Sequence, residues 1–475
     1  MSKTFYITTP IFYPNANLHM GHAYTTVIAD ILARYHRLAG EEVYLLTGAD
    51  ENTEKAARAA RAAGDEPRAY LDGIVANFKN LFGTLEISYD QFIRTSDEKV
   101  HWPGAEAFWK KLAGAGDLYK SSYEGLYCVG HEAFITEKDL VNGKCPDHNE
   151  APERIKEENY FFRLSKYTAK VKEKIETGEF EIMPETRKNE ILALLERGLS
   201  DVSFSRPAEK VTLGIPVPND PTQKMYVWCD ALTNYVSALG YGRDEKLFKK
   251  FWPADAHVIG KDILRFHAAI WPAMLLSAGL PLPKRLFVHG MITSGGVKMS
   301  KTLGNVIDPQ ELISEYGAEA VRYFLARHIS PFEDGDLTRE SFKEAYNANL
   351  ANGLGNLVSR IMKMAEAYLP VPVTIPENTI PQNFIDAFGT YNVQAAADVV
   401  WKKISEMDER IQKTEPFKLV KTDRAKAEEI IRGLAVDLYT VARMLNPFMP
   451  QTMEKIKQAV KENKMPVTPL FPRKL

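Results

Sequence analysis

Along the first 63 residues the apolar positions change period several times. Residues 4–9, Thr-Phe-Tyr-Ile-Thr-Thr, are β-branched and aromatic and predict a strand, followed by a loop containing Pro and Asn through Asn17. From about Gly21, Val27, Ile28, Ile31, Leu32, Tyr35 and Leu38 recur at helical spacing, and Gly40 stands where a C-terminal cap belongs. Residues 43–47 predict a second strand ending at Asp50, and an Ala-rich helix follows to about Ala63. A strand-helix-strand-helix order calls for parallel strands joined by right-handed crossovers.

Between 117 and 224 this alternation gives way to short segments rich in charge and turn residues, which predicts an inserted domain. The alternation resumes with strands expected at 225–229, 257–259 and 285–289, the second leading into a helix after Lys261. The parallel sheet is therefore expected to be split by the insertion. After about Glu344 every long segment has helical period, with Leu350, Leu354, Leu357 and Ile361 on one stripe. The fold class that follows is α/β: a split Rossmann-type parallel sheet (1–116 and 225–344), an inserted connective domain (117–224) and a C-terminal all-α bundle (345–475).

Composition agrees with about three domains. The chain has 475 residues, 45% hydrophobic and 26% charged, which excludes a disordered or fibrous protein. Its 60 basic and 62 acidic residues leave a net charge of -2, so no bulk positive field advertises a nucleic-acid partner. Locally the balance differs: residues 398–475 carry sixteen Lys and Arg against eleven Asp and Glu. The N-terminus lacks an apolar core of signal-peptide length, and the most apolar stretch, 268–282, is broken by Pro272 and Gly279. No secretion and no membrane partner are expected. The three cysteines, Cys128, Cys145 and Cys229, rule out a disulfide framework and suit a reducing cytosol.

Two motifs carry the candidate chemistry. His19-Met20-Gly21-His22 falls where the first strand hands over to the first helix, outside the carboxyl end of a parallel strand. Amides there point outward, a glycine admits close approach, and histidines add donors for phosphate oxygens. Two surface histidines capping a helix are the bland alternative. Lys298-Met299-Ser300-Lys301-Thr302, preceded by Ser294-Gly295-Gly296, is a glycine-containing loop whose ammonium groups suit a polyphosphate leaving group, or else simply an exposed basic loop. Within the insertion, Cys128-x2-His131 and Cys145-x2-His148 are two close pairs separated by a turn with Gly143, suited either to a tetrahedral zinc knuckle or to a metal-free turn.

In this order, and about 280 residues apart, the two motifs resemble the paired signatures of class I aminoacyl-tRNA synthetases. The segment from Pro10 to His22, Ala49-Asp50, Val227-Trp228-Cys229-Asp230-Ala231, Gly260-Lys261-Asp262-Ile263, Phe266-His267 and the terminal helical region extend the resemblance to the methionyl-tRNA synthetase family over nearly the whole chain. The resemblance implies ATP-dependent joining of L-methionine to its cognate tRNA through methionyl-adenylate, with Mg2+ accompanying the ATP. It implies His19, His22, Lys298 and Lys301 as catalytic residues and Gly21, Gly260 and Asp262 as further ATP contacts. A methionine side-chain pocket is implied of Ile11, Tyr13, Trp228, Ala231, Tyr235, Ile263, Phe266 and His267, with Asp50 on the α-ammonium. Sulfur against aromatic edges and ammonium against carboxylate make physical sense of that set.

The resemblance further implies Asn356, Arg360 and Phe417 as anticodon contacts and one structural zinc on Cys128, His131, Cys145 and His148. The chain departs from the family pattern at Thr302 for Ser, His131 for Cys, and Phe417 for Trp. The first keeps a hydroxyl, the second a legitimate ligand, the third a π-face without the indole donor. Partners implied are initiator and elongator methionine tRNA, and a monomer is expected, in bacterial cytosol or an organelle matrix. The alternatives are a synthetase for leucine, isoleucine or valine, a small-molecule adenylyltransferase using His-x-Gly-His, and a silent RNA-binding paralogue. The first usually carries a larger editing insertion, and the second leaves the lysine loop and helical region idle. Both intact signatures count against the third.

Overall fold

The computed structural model describes residues 3–129, 133–135, 137, 140–146, 149–211, 213–299, 304–377 and 380–474. The chain forms two compact units: one of residues 1–18, 42–82 and 88–289, the other of 19–41, 83–87 and 290–475.

The first unit is built on strands β1 (Thr4–Phe12), β2 (Glu42–Ala49) and β3 (Gln91–Arg94). The β1–β2 ladder runs in parallel register from Thr4↔Glu42 to Thr8↔Leu46, then shifts before resuming at Ile11↔Gly48. Pro10 lies in the gap, where it has no N–H to give to the ladder. Thr9 fills the irregularity by a hydroxyl bond of 2.7 Å to Thr47.

From Leu118 the chain leaves this sheet. Strands β4 (Leu118–Cys128), β5 (Ala133–Ile135) and β6 (Glu153–Phe162) are antiparallel, as the charged, turn-rich sequence anticipates. The insertion is not a closed block, however: β7 (Glu181–Met183) pairs in parallel with a strand more than a hundred residues later. Three residues are too short for a sequence period to mark. Short strands β8 (Val202–Ser203), β9 (Ser205–Pro207), β10 (Pro216–Val217) and β11 (Asp220–Met225) follow, then β12 (Ala256–Gly260) and β13 (Arg285–His289). The completed sheet has the order β3-β2-β1-β12-β13-β7, with every pairing parallel. The expected split parallel sheet is what forms.

Two elements differ from the sequence expectation. The apolar run at 225–229 is not a strand: β11 ends at Met225, the Tyr226 N–H bonds the Phe204 carbonyl at 2.8 Å, and Val227–Leu232 turns into a helix buried on every side. Such a short run reads alike as a buried strand or a buried helix, and tertiary contacts choose. The single helix expected after Lys261 is a 3-10 turn (Lys261–Ile263), a π turn (Phe266–Ile270) and an α-helix (Trp271–Ala278). Pro272 explains the widening, because its ring excludes the ordinary i−4 bond in the turn before it.

The second unit contains helix α1 (Met20–Leu38), the strands β14 (Ile292–Ser294), β15 (Val297–Lys298) and β16 (Gly335–Asp336), and helices to Pro450–Glu462. Leu350, Leu354, Leu357 and Ile361 are all buried on the predicted stripe. Helix α1 is locked into this unit by a fully buried ion pair. The Arg322 guanidinium sits 2.7 Å from Asp30 and donates to the carbonyls of Phe448 (2.8 Å), Pro447 (2.8 Å) and Leu85 (3.1 Å). A buried guanidinium is tolerated because its donors are matched in this way.

Candidate active site

Helix α1 begins on His19, whose φ of -101° and ψ of 178° are extended, as an N-cap requires. Its Nδ1 accepts the Gly21 N–H at 3.0 Å, and His22 Nδ1 accepts the His19 N–H at 3.2 Å. This reciprocal capping box fixes the chemistry of both rings. A backbone N–H can only donate, so each Nδ1 is a lone pair and each neutral ring carries its proton on Nε2. The rings stack at 3.8 Å, and burial together with the neighbouring His19 pushes the His22 pKa well below its ordinary value. The motif thus offers a neutral Nε2–H donor on His22 at a helix N-terminus, beside the exposed His19 ring. A Cβ at Gly21 would fall 2.9 Å from the His19 ring, so a side chain there would push that ring out of its capping position.

In the first unit the aromatic residues expected around a thioether are brought together although they lie far apart in sequence. Trp228 and Phe266 stack face to face, with centroids 3.6 Å apart. Tyr235 bonds His267 Nε2 at 2.7 Å, and His267 Nδ1 donates to the Ile263 carbonyl at 3.0 Å. Because a carbonyl only accepts, the His267 proton is on Nδ1 and the Tyr235 hydroxyl donates to Nε2. Burial lowers the His267 pKa to about 4. Ile11, Tyr13 and Ile263 are half-buried against the same apolar cluster, and Ala231 is buried, its carbonyl accepting from Asn234.

His267 therefore carries a prediction about pH. Its native pKa lies below the unfolded value near 6.5, so the unfolded chain binds the extra proton between those values. Its contribution to stability is complete above pH 6.5 and is lost as pH falls towards about 4, on the order of 3 kcal/mol. Unfolding free energies measured from pH 8 to 4 should fall less steeply in His267→Gln than in the parent chain. Equal slopes would show that His267 does not titrate in this way.

Asp50, at the end of β2, is buried, donates its N–H to the Phe12 carbonyl at 2.9 Å and accepts from the Thr95 hydroxyl at 3.3 Å. Behind it lies a polar network that the sequence reading did not anticipate. Thr95 Oγ1 accepts the N–H groups of Glu51 (2.8 Å) and Asn52 (3.2 Å). The Asn52 amide donates to the Thr95 carbonyl at 3.0 Å and to Asp230 at 2.7 Å. Asp230 is also 2.5 Å from His101 Nε2, whose other nitrogen meets Ser237 at 2.8 Å. A hint was available for Asp230, a carboxylate in an otherwise apolar run; His101 and Thr95 had none.

Gly260 closes β12, and the Asp262 carboxylate packs against it, so a Cβ at 260 would fall 2.6 Å from Asp262 Oδ1. Lys298 lies on β15, exposed, while Lys301 and Thr302 lie outside the described residues. Cys128 and Cys145 are both buried, and the Asn149 N–H bonds the Cys145 carbonyl at 2.8 Å. His131 and His148 lie outside the described residues. Among the helices, exposed Asn356 opens Asn356–Tyr368, Arg360 on the same helix pairs with Asp408, and Phe417 is 42% exposed with the Lys418 ammonium 5.9 Å from its ring.

A parallel nucleotide-type sheet, a His-x-Gly-His helix cap after its first strand and a later lysine-bearing hairpin define a class I aminoacyl-tRNA synthetase. The family model described as tRNA synthetases class I (M) matches residues 5–154 and 148–362. Methionine--tRNA ligase of Caldanaerobacter subterraneus subsp. tengcongensis is 45% identical over 474 residues, spanning 96% of this chain and 74% of that protein. That of Thermotoga maritima is 41% identical over 480 residues, spanning 97% and 76%. The solved Mycobacterium tuberculosis methionyl-tRNA synthetase in complex with methionyl-adenylate matches with a TM-score of 0.91 at 36% identity, covering 99% of this chain and 100% of that one. The chain belongs to the methionyl-tRNA synthetase family.

Proposed function

We propose that the chain joins L-methionine to ATP, forming methionyl-adenylate and pyrophosphate, and passes the methionyl group to the 3′-terminal adenosine of methionine tRNA with release of AMP. The observation that carries this reading is the cluster of Trp228, Phe266, Tyr235 and His267: aromatic, neutral and buried, the surroundings that favour a thioether.

In the first step the substrate carboxylate is the nucleophile. A methionine oxygen bonds the α-phosphorus, and the bond to the bridging oxygen of pyrophosphate breaks. No side-chain nucleophile is needed; catalysis is alignment and charge stabilisation. His19 and His22 donate from Nε2 to phosphate oxygens, Lys298 and Lys301 neutralise the leaving pyrophosphate, and Gly260 and Asp262 hold the adenosine. Mg2+ accompanies the ATP as a counter-charge. Asp50 takes the α-ammonium. Asn356 and Arg360 read the anticodon of both initiator and elongator tRNA, with Phe417 as a stacking face. No helix among the described residues is long and apolar enough to cross a membrane. We place the chain in the cytosol as a monomer.

The two buried thiols fit a structural zinc, with His131 and His148 as the remaining donors. Elemental analysis of protein prepared without chelator should give one zinc per chain, lost in Cys145→Ala; metal-free wild type removes this assignment. The function is tested by pyrophosphate exchange into ATP across the twenty amino acids. Exchange with methionine alone is expected, and exchange with leucine but not methionine, or with none, refutes it.

A further inference from the structure

The hairpin that carries Lys298 is short. Strands β14 and β15 pair at only Thr293↔Lys298 and Ser294↔Val297, joined by Gly295-Gly296 at φ of 65° and 74°. Positive φ at both turn residues marks the two-residue turn that suits hairpin twist. A ladder of this length does not hold itself in water, and Val297 is 51% exposed, so apolar packing on that residue does little for it. What fixes the hairpin is the neighbouring strand β16. Asp336 Oδ1 accepts both the Gly296 N–H and the Thr293 hydroxyl, each at 2.8 Å. Asp334 Oδ1 takes the Met291 N–H at 2.8 Å, and the Leu337 N–H bonds the Thr293 carbonyl at 3.0 Å.

We propose that Asp336 is a positioning residue for adenylate formation: it ties the Gly295-Gly296 turn to β16 and so sets where Lys298 is presented. The proposal rests on the assignment of the lysine hairpin to the pyrophosphate side. A charge-assisted bond to a turn amide is among the stronger ties available to an exposed loop. A lysine displaced by about an ångström loses much of its effect on the transition state. Only one carboxylate oxygen is used, so asparagine keeps both bonds and alanine keeps neither.

The experiment compares wild type, Asp336→Ala, Asp336→Asn and Lys298→Ala by methionine-dependent pyrophosphate exchange, with KM for methionine and the thermal midpoint. Asp336→Ala is expected to lower kcat roughly tenfold or more, leaving the methionine KM and the midpoint unchanged. Asp336→Asn should stay within about threefold of wild type. Wild-type kcat in Asp336→Ala overturns the proposal, as does an Asn variant as slow as the Ala variant, or a rise in methionine KM. If Lys298→Ala exchanges normally, the hairpin assignment itself fails and takes the proposal with it. If wild type shows no methionine-dependent exchange, the functional reading fails first.

Discussion

His22→Ala is expected to slow adenylate formation by roughly 100- to 1000-fold while leaving the methionine KM close to wild type. The magnitude is that of one preorganised donor aimed at charge that develops only in the transition state. Two features of the cap make His22 that donor. Its Nδ1 is occupied by the His19 N–H, which directs the ring proton to Nε2. Its pKa is pushed well below the ordinary histidine value, so the ring stays neutral across the working range. Loss of the cap bond adds a smaller cost of about 1 kcal/mol to the start of α1. Single-turnover adenylate formation separates the two effects, because a capping defect lowers the thermal midpoint and a missing donor lowers the rate. A rate within a few fold of wild type would reject the phosphate role. Since the His22 ring does not need to titrate, the wild-type rate should show no inflection from His22 between pH 6 and 8.

Asp50→Asn should raise the dissociation constant for methionine by roughly 100-fold or more, with the fold intact. A carboxylate facing an ammonium in a buried site contributes several kcal/mol, and an amide leaves the cation without its counter-charge. The substitution keeps shape and an acceptor for Thr95, which lies 3.3 Å away. The structural network through Asn52, Asp230 and His101 is therefore preserved. Trp228, stacked on Phe266 in the same unit, supplies a fluorescence signal for the titration. Methionine affinity equal to wild type would remove Asp50 from the ammonium site. Methionol, which keeps the amine and lacks the carboxylate, should lose affinity in the same variant; if it does not, Asp50 acts on another part of the ligand.

Much of this was legible in the chain alone, for a reason visible in the separations involved. The His19 cap is closed by residues two and three positions away, so motif and helix start are local properties, while the ring tautomer had to be read from the cap's hydrogen bonds. The parallel order of β1 and β2 follows from the alternation around α1. The stripe of Leu350, Leu354, Leu357 and Ile361 is set by helical period and is buried as expected. Trp228, Phe266 and Asp50 were named by resemblance, while their pairing and burial had to be seen.

What the sequence could not supply was whatever depends on partners chosen at a distance. Residues 225–229 satisfy strand and helix patterns equally, and the helix is decided by packing on every side. β7 is too short to show a period, and joins the sheet only because β13 is there to pair with it. The shell behind Asp50 joins His101 to Asp230 across 129 positions and Asn52 to Asp230 across 178. Asp336 reaches the lysine hairpin across 40. The sequence by itself determined the family, the sheet and the place of the His-x-Gly-His motif at a helix start, because those rest on residue type and local period. Only the tertiary structure decided which polar side chains hold the site in place, because a buried polar group is stabilised by whichever partner the fold brings within hydrogen-bond reach.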